Sequence, residues 1–174
     1  NDGNGADNDA LDPGDRLTAA EAAADPTLWD GCEVRERSSW HGTMMAGQIG
    51  ATSNNSAGVA AINWNGRILP VRVAGKCGAE VADIVDGMRW AAGLAVAGAP
   101  SNPNPARVVN ISFGGSAPCN AAYQEAIDEL RVVGVVVVAA AGNGHGNVKR
   151  PASCAGVIGV AALNRDGFKA SYSN

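Results

Sequence analysis

Apolar residues recur along this chain in two rhythms. Val81, Ile84, Val85, Met88 and Ala92 fall at helical spacing and predict a helix over residues 79–97, with Gly98 as its stop. Ala122, Ala126, Ile127 and Leu130 mark a second helix, which Gly134 ends. The other rhythm is a set of short, dense runs. Residues 108–113 predict a strand, as do residues 157–162. Residues 135–141 are all apolar, which suits a strand buried on both faces of a parallel sheet. Residues 67–73 (Arg-Ile-Leu-Pro-Val-Arg-Val) read as a further strand, irregular or at an edge because Pro70 cannot donate to a ladder. Strands alternating with helices predict an α/β fold: a doubly wound, mostly parallel sheet with helices on both faces.

The first forty residues lack this pattern. Residues 1–15 read as loop, rich in Asp, Asn and Gly, with Pro13-Gly14 as a turn signal. Residues 17–24 have room for one or two helical turns, closed by Asp25-Pro26. Residues 43–51 are small and apolar and suit a buried helix just after His41.

Composition narrows the class. The 174 residues are 46% hydrophobic and only 17% charged, against roughly 25% charged in an average globular protein. That balance excludes a disordered or coiled-coil chain. No apolar run approaches the roughly 20 residues of a membrane helix, and residues 1–8 do not read as a signal peptide. Glycine, 23 residues, is nearly twice the usual share of about 7% and implies tight turns and close backbone approaches. Charge is uneven. Up to Glu36 there are ten acids and two bases, a local −8; from Arg37 onward, eleven bases and seven acids, a local +4. An acidic head argues against nucleic acid as a partner and fits a solvated loop or a site for a hard cation.

Cys32, Cys77, Cys119 and Cys154 form no Cys-x-x-Cys pair, which argues against a zinc ribbon or a thioredoxin-type motif. An even number at wide spacing suits two disulfides in a secreted protein; four free thiols in a cytosolic enzyme is the other reading. Three connectivities are open.

Ligands of such sheets bind beyond the carboxyl ends of the strands, which directs attention to three segments, residues 39–47, 110–115 and 140–144. His41 opens one of them. Histidine titrates near neutral pH and can serve as a general base, although a helix-start histidine satisfied by backbone groups is the simpler reading. Asn143 follows a dense apolar run between Gly142 and Gly144. It is either a turn asparagine or an amide donor aimed at a developing oxyanion. Gly142-x-Gly144-x-Gly146 is a poor phosphate loop, because Lys149-Arg150-Pro151 interrupts the helix that should follow. His145 reads as a solvated loop residue.

Taken in order, these segments resemble the subtilisin-like serine proteases, or subtilases, over residues 40–174. The resemblance rests on His41-Gly42-Thr43-Met44-Met45-Ala46-Gly47, then Asn54-Asn55-Ser56-Ala57-Gly58-Val59-Ala60, and Val109-Asn110-Ile111-Ser112-Phe113-Gly114-Gly115. It continues through Ala139-Ala140-Ala141-Gly142-Asn143 and Pro151-Ala152-Ser153 to Ala170-Ser171-Tyr172-Ser173-Asn174. Met44-Met45 departs from the family's usual pattern without touching the base. More narrowly, the chain is similar to secreted bacterial subtilases with an acidic N-terminal loop and two disulfides. In those relatives the implied pairs are Cys32 with Cys77 and Cys119 with Cys154.

The resemblance implies a secreted serine endopeptidase that cleaves protein or peptide substrates through an acyl-enzyme. His41 would be the base and Asn143 the oxyanion donor. The backbone of Ser112, Phe113 and Gly114 would pair with an extended substrate. Gly78 and Ala79, with Glu80, would form the opposite side, and Gly142 would help leave room for an apolar side chain. It also implies structural calcium, held by oxygens of Asp2, Asp7, Asp9, Asp12 and Asp15, with Asn4 nearby and Asn55 in a second loop.

Motifs carrying the catalytic aspartate and the nucleophilic serine are expected before Asn1 and after Asn174. Residues 1–174 are therefore expected to be the internal part of one peptidase domain, incomplete at both ends of its sheet and inactive alone. Residues 1–40 would be its acidic, calcium-type loop region and residues 41–174 its α/β core. Ser171 and Ser173 lack the nucleophile's glycine context. A non-catalytic binding module on the same scaffold is the alternative. Neither nucleic acid nor membrane is an expected partner.

Overall fold

The structure is a computed structural model and describes residues 10–11 and 13–174. It contains two compact units, Asn1–Glu80 and Val81–Asn174. The expected calcium ligands Asp2, Asp7, Asp9 and Asp12 lie outside the described residues.

In the first unit, helix α1 covers Ala19–Ala24 and α2 covers His41–Gly50. Thr18 starts α1 with a capping box: its hydroxyl oxygen accepts from the Glu21 backbone N–H, and the Glu21 carboxylate accepts from the Thr18 N–H at 2.8 Å. Lys76 Nζ meets Glu21 Oε1 at 2.7 Å and lies over the Trp29 ring. Leu17, fully buried, is bridged to Arg35, and Cys32 is bonded to Cys77.

Two expectations fail here. Helix α2 forms but buries none of its residues, and Met44 and Ile49 are exposed; small apolar residues specify the helix, not a cover for it. Residues 67–73 form no strand. They have no ladder partner among the described residues, and strand-like composition without a partner leaves only extended chain.

The second unit is α/β. Helix α3 (Val81–Ala91) is followed by β1 (Val108–Ile111), α4 (Ala121–Val132), β2 (Val136–Ala140) and β3 (Val157–Val160). The strands pair in parallel in the order β1-β2-β3, with Val108 opposite Val136 and Val137 opposite Val157. Helix α4 packs on β2 and on α3. The core lies between them: Ile84, Val85 and Met88 of α3, Tyr123, Ala126, Ile127 and Leu130 of α4, and Val137 and Ala139 of β2 are buried. Cys119 is bonded to Cys154.

Helix α3 ends earlier than expected, at Gly93 and not Gly98. Gly93 has φ +82°, its N–H reaches the Trp90 carbonyl, and the Leu94 N–H reaches back to Arg89, so the first compatible glycine closes the helix. Gly134 ends α4 in the same way, as expected. The expected two-faced burial of β2 is also wrong. Val137 and Ala139 are buried while Val136 is exposed, so burial alternates along the strand, and α4 packs on it. Strand β3 is more open still, with Ile158 and Val160 exposed.

Candidate functional site

The carboxyl ends of β1 and β2 lie side by side, since Ile111 pairs with Ala139. Ser112, Phe113 and Gly114 leave one strand there, and Gly142 and Asn143 leave the other. The sheet thus brings these five expected site residues to one edge, where α/β sheets place ligands.

The β1 exit is held by Arg150. The Gly115 N–H donates to the Arg150 carbonyl at 3.1 Å, and the Arg150 N–H donates to Ala117 at 3.0 Å. A Cβ on Gly114 would lie 2.6 Å from that Arg150 carbonyl, so only glycine permits the approach. Asn110 Nδ2 donates to the Ser112 hydroxyl at 2.8 Å, tying the strand end to its exit.

The β2 exit begins at Ala141, whose N–H bonds the Val160 carbonyl at 2.9 Å and extends the β2–β3 pairing by one residue. Gly142 follows at φ +112°, and a Cβ there would lie 2.5 Å from Asn174 Nδ2. Conformation and space both demand glycine. Asn143 stands next in an exposed turn. Asn174, buried, spans the turn: its Oδ1 accepts from the Gly144 N–H at 2.7 Å and the Gly146 N–H at 3.3 Å. Its Nδ2 donates to the Asn147 carbonyl at 2.9 Å, and its own N–H donates to Gly142 at 2.9 Å. The sequence alone does not reveal this role, since Asn174 stands there only as the end of a family-like motif. The signal available was a glycine-rich turn that needs an anchor.

Ser173 is also an anchor. It is buried, and its hydroxyl accepts from the Ala162 N–H at 2.9 Å.

In the first unit, His41 opens α2 and its backbone N–H donates to Ser39 Oγ at 3.4 Å. Ser39 in turn donates from its N–H and its hydroxyl to the two oxygens of Asp15, and Arg35 Nη1 adds an ion pair at 3.3 Å. The Ser39 N–H first of all holds the Asp15 carboxyl below its ordinary range. Asp15 therefore pins the entry to the His41 helix, a role its place in an acidic stretch did not suggest. Gly78 closes a turn of two backbone bonds with Gly75, at φ +96°, and Ala79 follows it. Asn55 Oδ1 accepts from the Ala57 N–H at 3.1 Å. Among the described residues, no three His, Cys, Asp or Glu side chains stand together as a metal group.

Residues 27–174 match the subtilase family. The chain belongs to the subtilase family. Its relatives include an extracellular protease of Xanthomonas campestris pv. campestris, 47% identical over 99% of this chain and 29% of that protein. An extracellular basic protease of Dichelobacter nodosus is 41% identical over 99% of this chain and 28% of its own length. The solved structure of proteases from Pseudoalteromonas arctica PAMC 21717 superposes with a TM-score of 0.87 at 46% identity, covering 97% of this chain and 48% of that one. This subtilase chain thus spans under a third of the two curated relatives. The family accounts for the parallel α/β sheet, and both disulfides have the pairing that the resemblance implied.

Proposed function

We propose that this chain forms part of a secreted serine endopeptidase acting on protein or peptide substrates. The observation that carries the reading is Asn143 on a glycine turn at the carboxyl end of β2, beside the exit of β1, in a subtilase. In this reading Asn143 donates its side-chain amide to the oxyanion of the tetrahedral intermediate. His41 takes the proton of a nucleophilic serine and returns it to the leaving amine. That serine, and the aspartate that orients the imidazole, come from other segments of the same peptidase. An extended peptide adds along the backbone of Ser112, Phe113 and Gly114, and Gly78, Ala79 and Glu80 supply further backbone contacts to it. Extracellular location is supported by the names of the relatives, and among the described residues no helix is long and apolar enough to cross a membrane.

The test is a serine-directed covalent probe applied to the complete protein. Labelling is expected and His41→Ala should abolish it; Asn143→Ala should lower kcat about 10²–10³-fold, the effect of such a donor in subtilisin, with little change in KM. An unchanged kcat would falsify the role of Asn143. No labelling with peptide binding retained would favour the non-catalytic module.

Structural calcium is the second part of the proposal, and it rests on the acidic head. The described candidates do not fit a cation shell by themselves. Both Asp15 oxygens are engaged by Ser39 and Arg35, and Asn55 caps its own turn. A chelator should lower the melting temperature of the complete protein; an unchanged melt would remove calcium from the account.

A further inference from the structure

The turn that carries Asn143 is Gly142-Asn143-Gly144-His145-Gly146, three glycines in five residues. A sequence this rich in glycine favours a turn but restrains its exact shape weakly. A donor that stabilises charge in a transition state must be held before the charge develops, since reorganising it during the reaction spends what it contributes. Something other than the turn's own sequence has to fix it.

Asn174 meets that need. It bonds the backbone on both sides of Asn143: its N–H holds the Gly142 carbonyl, and its Oδ1 holds the Gly144 and Gly146 N–H groups. Its Nδ2 closes the far end at the Asn147 carbonyl. One side chain supplies both the acceptor and the donor the turn requires, which an amide can do and a carboxylate or ammonium cannot. Tyr172 adds a backbone bond, its carbonyl accepting from the His145 N–H at 2.9 Å. The segment bearing Asn174 is itself fixed, because Lys169 Nζ donates to the Ser173 carbonyl at 2.7 Å and the Ser173 hydroxyl accepts from Ala162.

We propose that Asn174 is a positioning residue for the oxyanion donor, clamping the Gly142–Asn147 backbone so that the Asn143 amide is presented in one geometry. This rests on the assignment of Asn143 above. A residue that acts through Asn143 should matter for turnover more than for substrate binding, and should matter little once the Asn143 amide is gone.

The experiment is a double-mutant cycle in the complete protein, with kcat and KM for a peptide substrate and a thermal melt for each variant. Asn174→Ala should lower kcat about 10–100-fold with KM changed less than about threefold. In the Asn143→Ala background the same change should lower kcat by less than about threefold. Asn174→Ser, which leaves a polar group and a smaller void, carries the same cycle if the alanine variant does not fold. Equal losses in both backgrounds, or an unchanged kcat in a folded Asn174 variant, would overturn the clamp while leaving Asn143 in place. An unchanged kcat for Asn143→Ala alone would overturn the donor assignment, and the clamp with it.

Discussion

Each compact unit contains one disulfide, but the two are held together differently. In the second, helices α3 and α4 and strand β2 bury a continuous set of apolar side chains. In the first, Leu17 and Ala61 are the buried apolar side chains among the described residues. Its order comes from polar and covalent ties: the Thr18–Glu21 capping box, the Lys76–Glu21 pair, the Asp15–Ser39–Arg35 cluster and the Cys32–Cys77 bond. Hydrophobic burial is additive and forgiving of local change, whereas a few specific ties fail singly. The half with the core should therefore survive the loss of its crosslink, and the half without one should not.

Removing the Cys32–Cys77 bond is the severest test. Its span of 45 residues and the 35 of Cys119–Cys154 correspond to nearly equal closure entropies, about 4 kcal/mol each. Replacing both members by serine should nonetheless give unequal outcomes in residue-resolved hydrogen exchange. Without Cys32–Cys77, amides of the first unit should lose protection throughout; without Cys119–Cys154, the strands of the second should keep theirs. Equal responses would erase the contrast. Next in size is Leu130→Ala, which empties a fully buried site in α4. A loss of about 3 kcal/mol in denaturant unfolding is expected, with exchange rising in α3, α4 and β2; a loss under about 1 kcal/mol would mean the core is looser than drawn.

The smallest effect is electrostatic. Lys76 first, with Thr18, holds the Glu21 carboxyl at about 2 against an ordinary 4.5. A depressed carboxyl stabilises the fold fully above pH 4.5 and loses that contribution as pH falls toward 2. The exposed pair is screened by water, so the change should be modest. Acid titration of exchange in α1 should show it, and Lys76→Met should flatten it; an unaltered profile would take Lys76 out of the first unit's ties.

The same contrast governs what could be read in advance. Burial leaves a periodic trace, so α3 and α4 are legible from spacing, and Gly134 marks a true helix end; the three strands are legible as dense apolar runs, which mark a strand without telling how much of it is buried. The misreadings came where context decides. Gly93 and Gly98 both follow apolar residues, and only backbone bonding tells which one closes α3. Residues 67–73 look like a strand because a strand's partner is invisible in its own sequence. Residues 43–51 look buried because apolarity shows affinity for a cover and not the cover itself. At the candidate site, Asn143 draws attention because glycines flank it. Asn174 does not, because a buried amide that satisfies a distant turn leaves no periodicity. Asp15 was masked by its neighbours: among so many acids, a carboxylate bonded to Ser39 reads like any other.

Gly142 and Asn143 are adjacent, yet the backbone asks opposite things of them. Position 142 disfavours a side chain, since its φ of +112° strains one and a Cβ would crowd the Asn174 amide. Position 143 is exposed and can accept many residues as far as folding is concerned. A saturation survey of the two sites should sort cleanly by readout. Variants at 142 would drop out of a screen for folded protein, while those at 143 would pass that screen and fail only one for turnover.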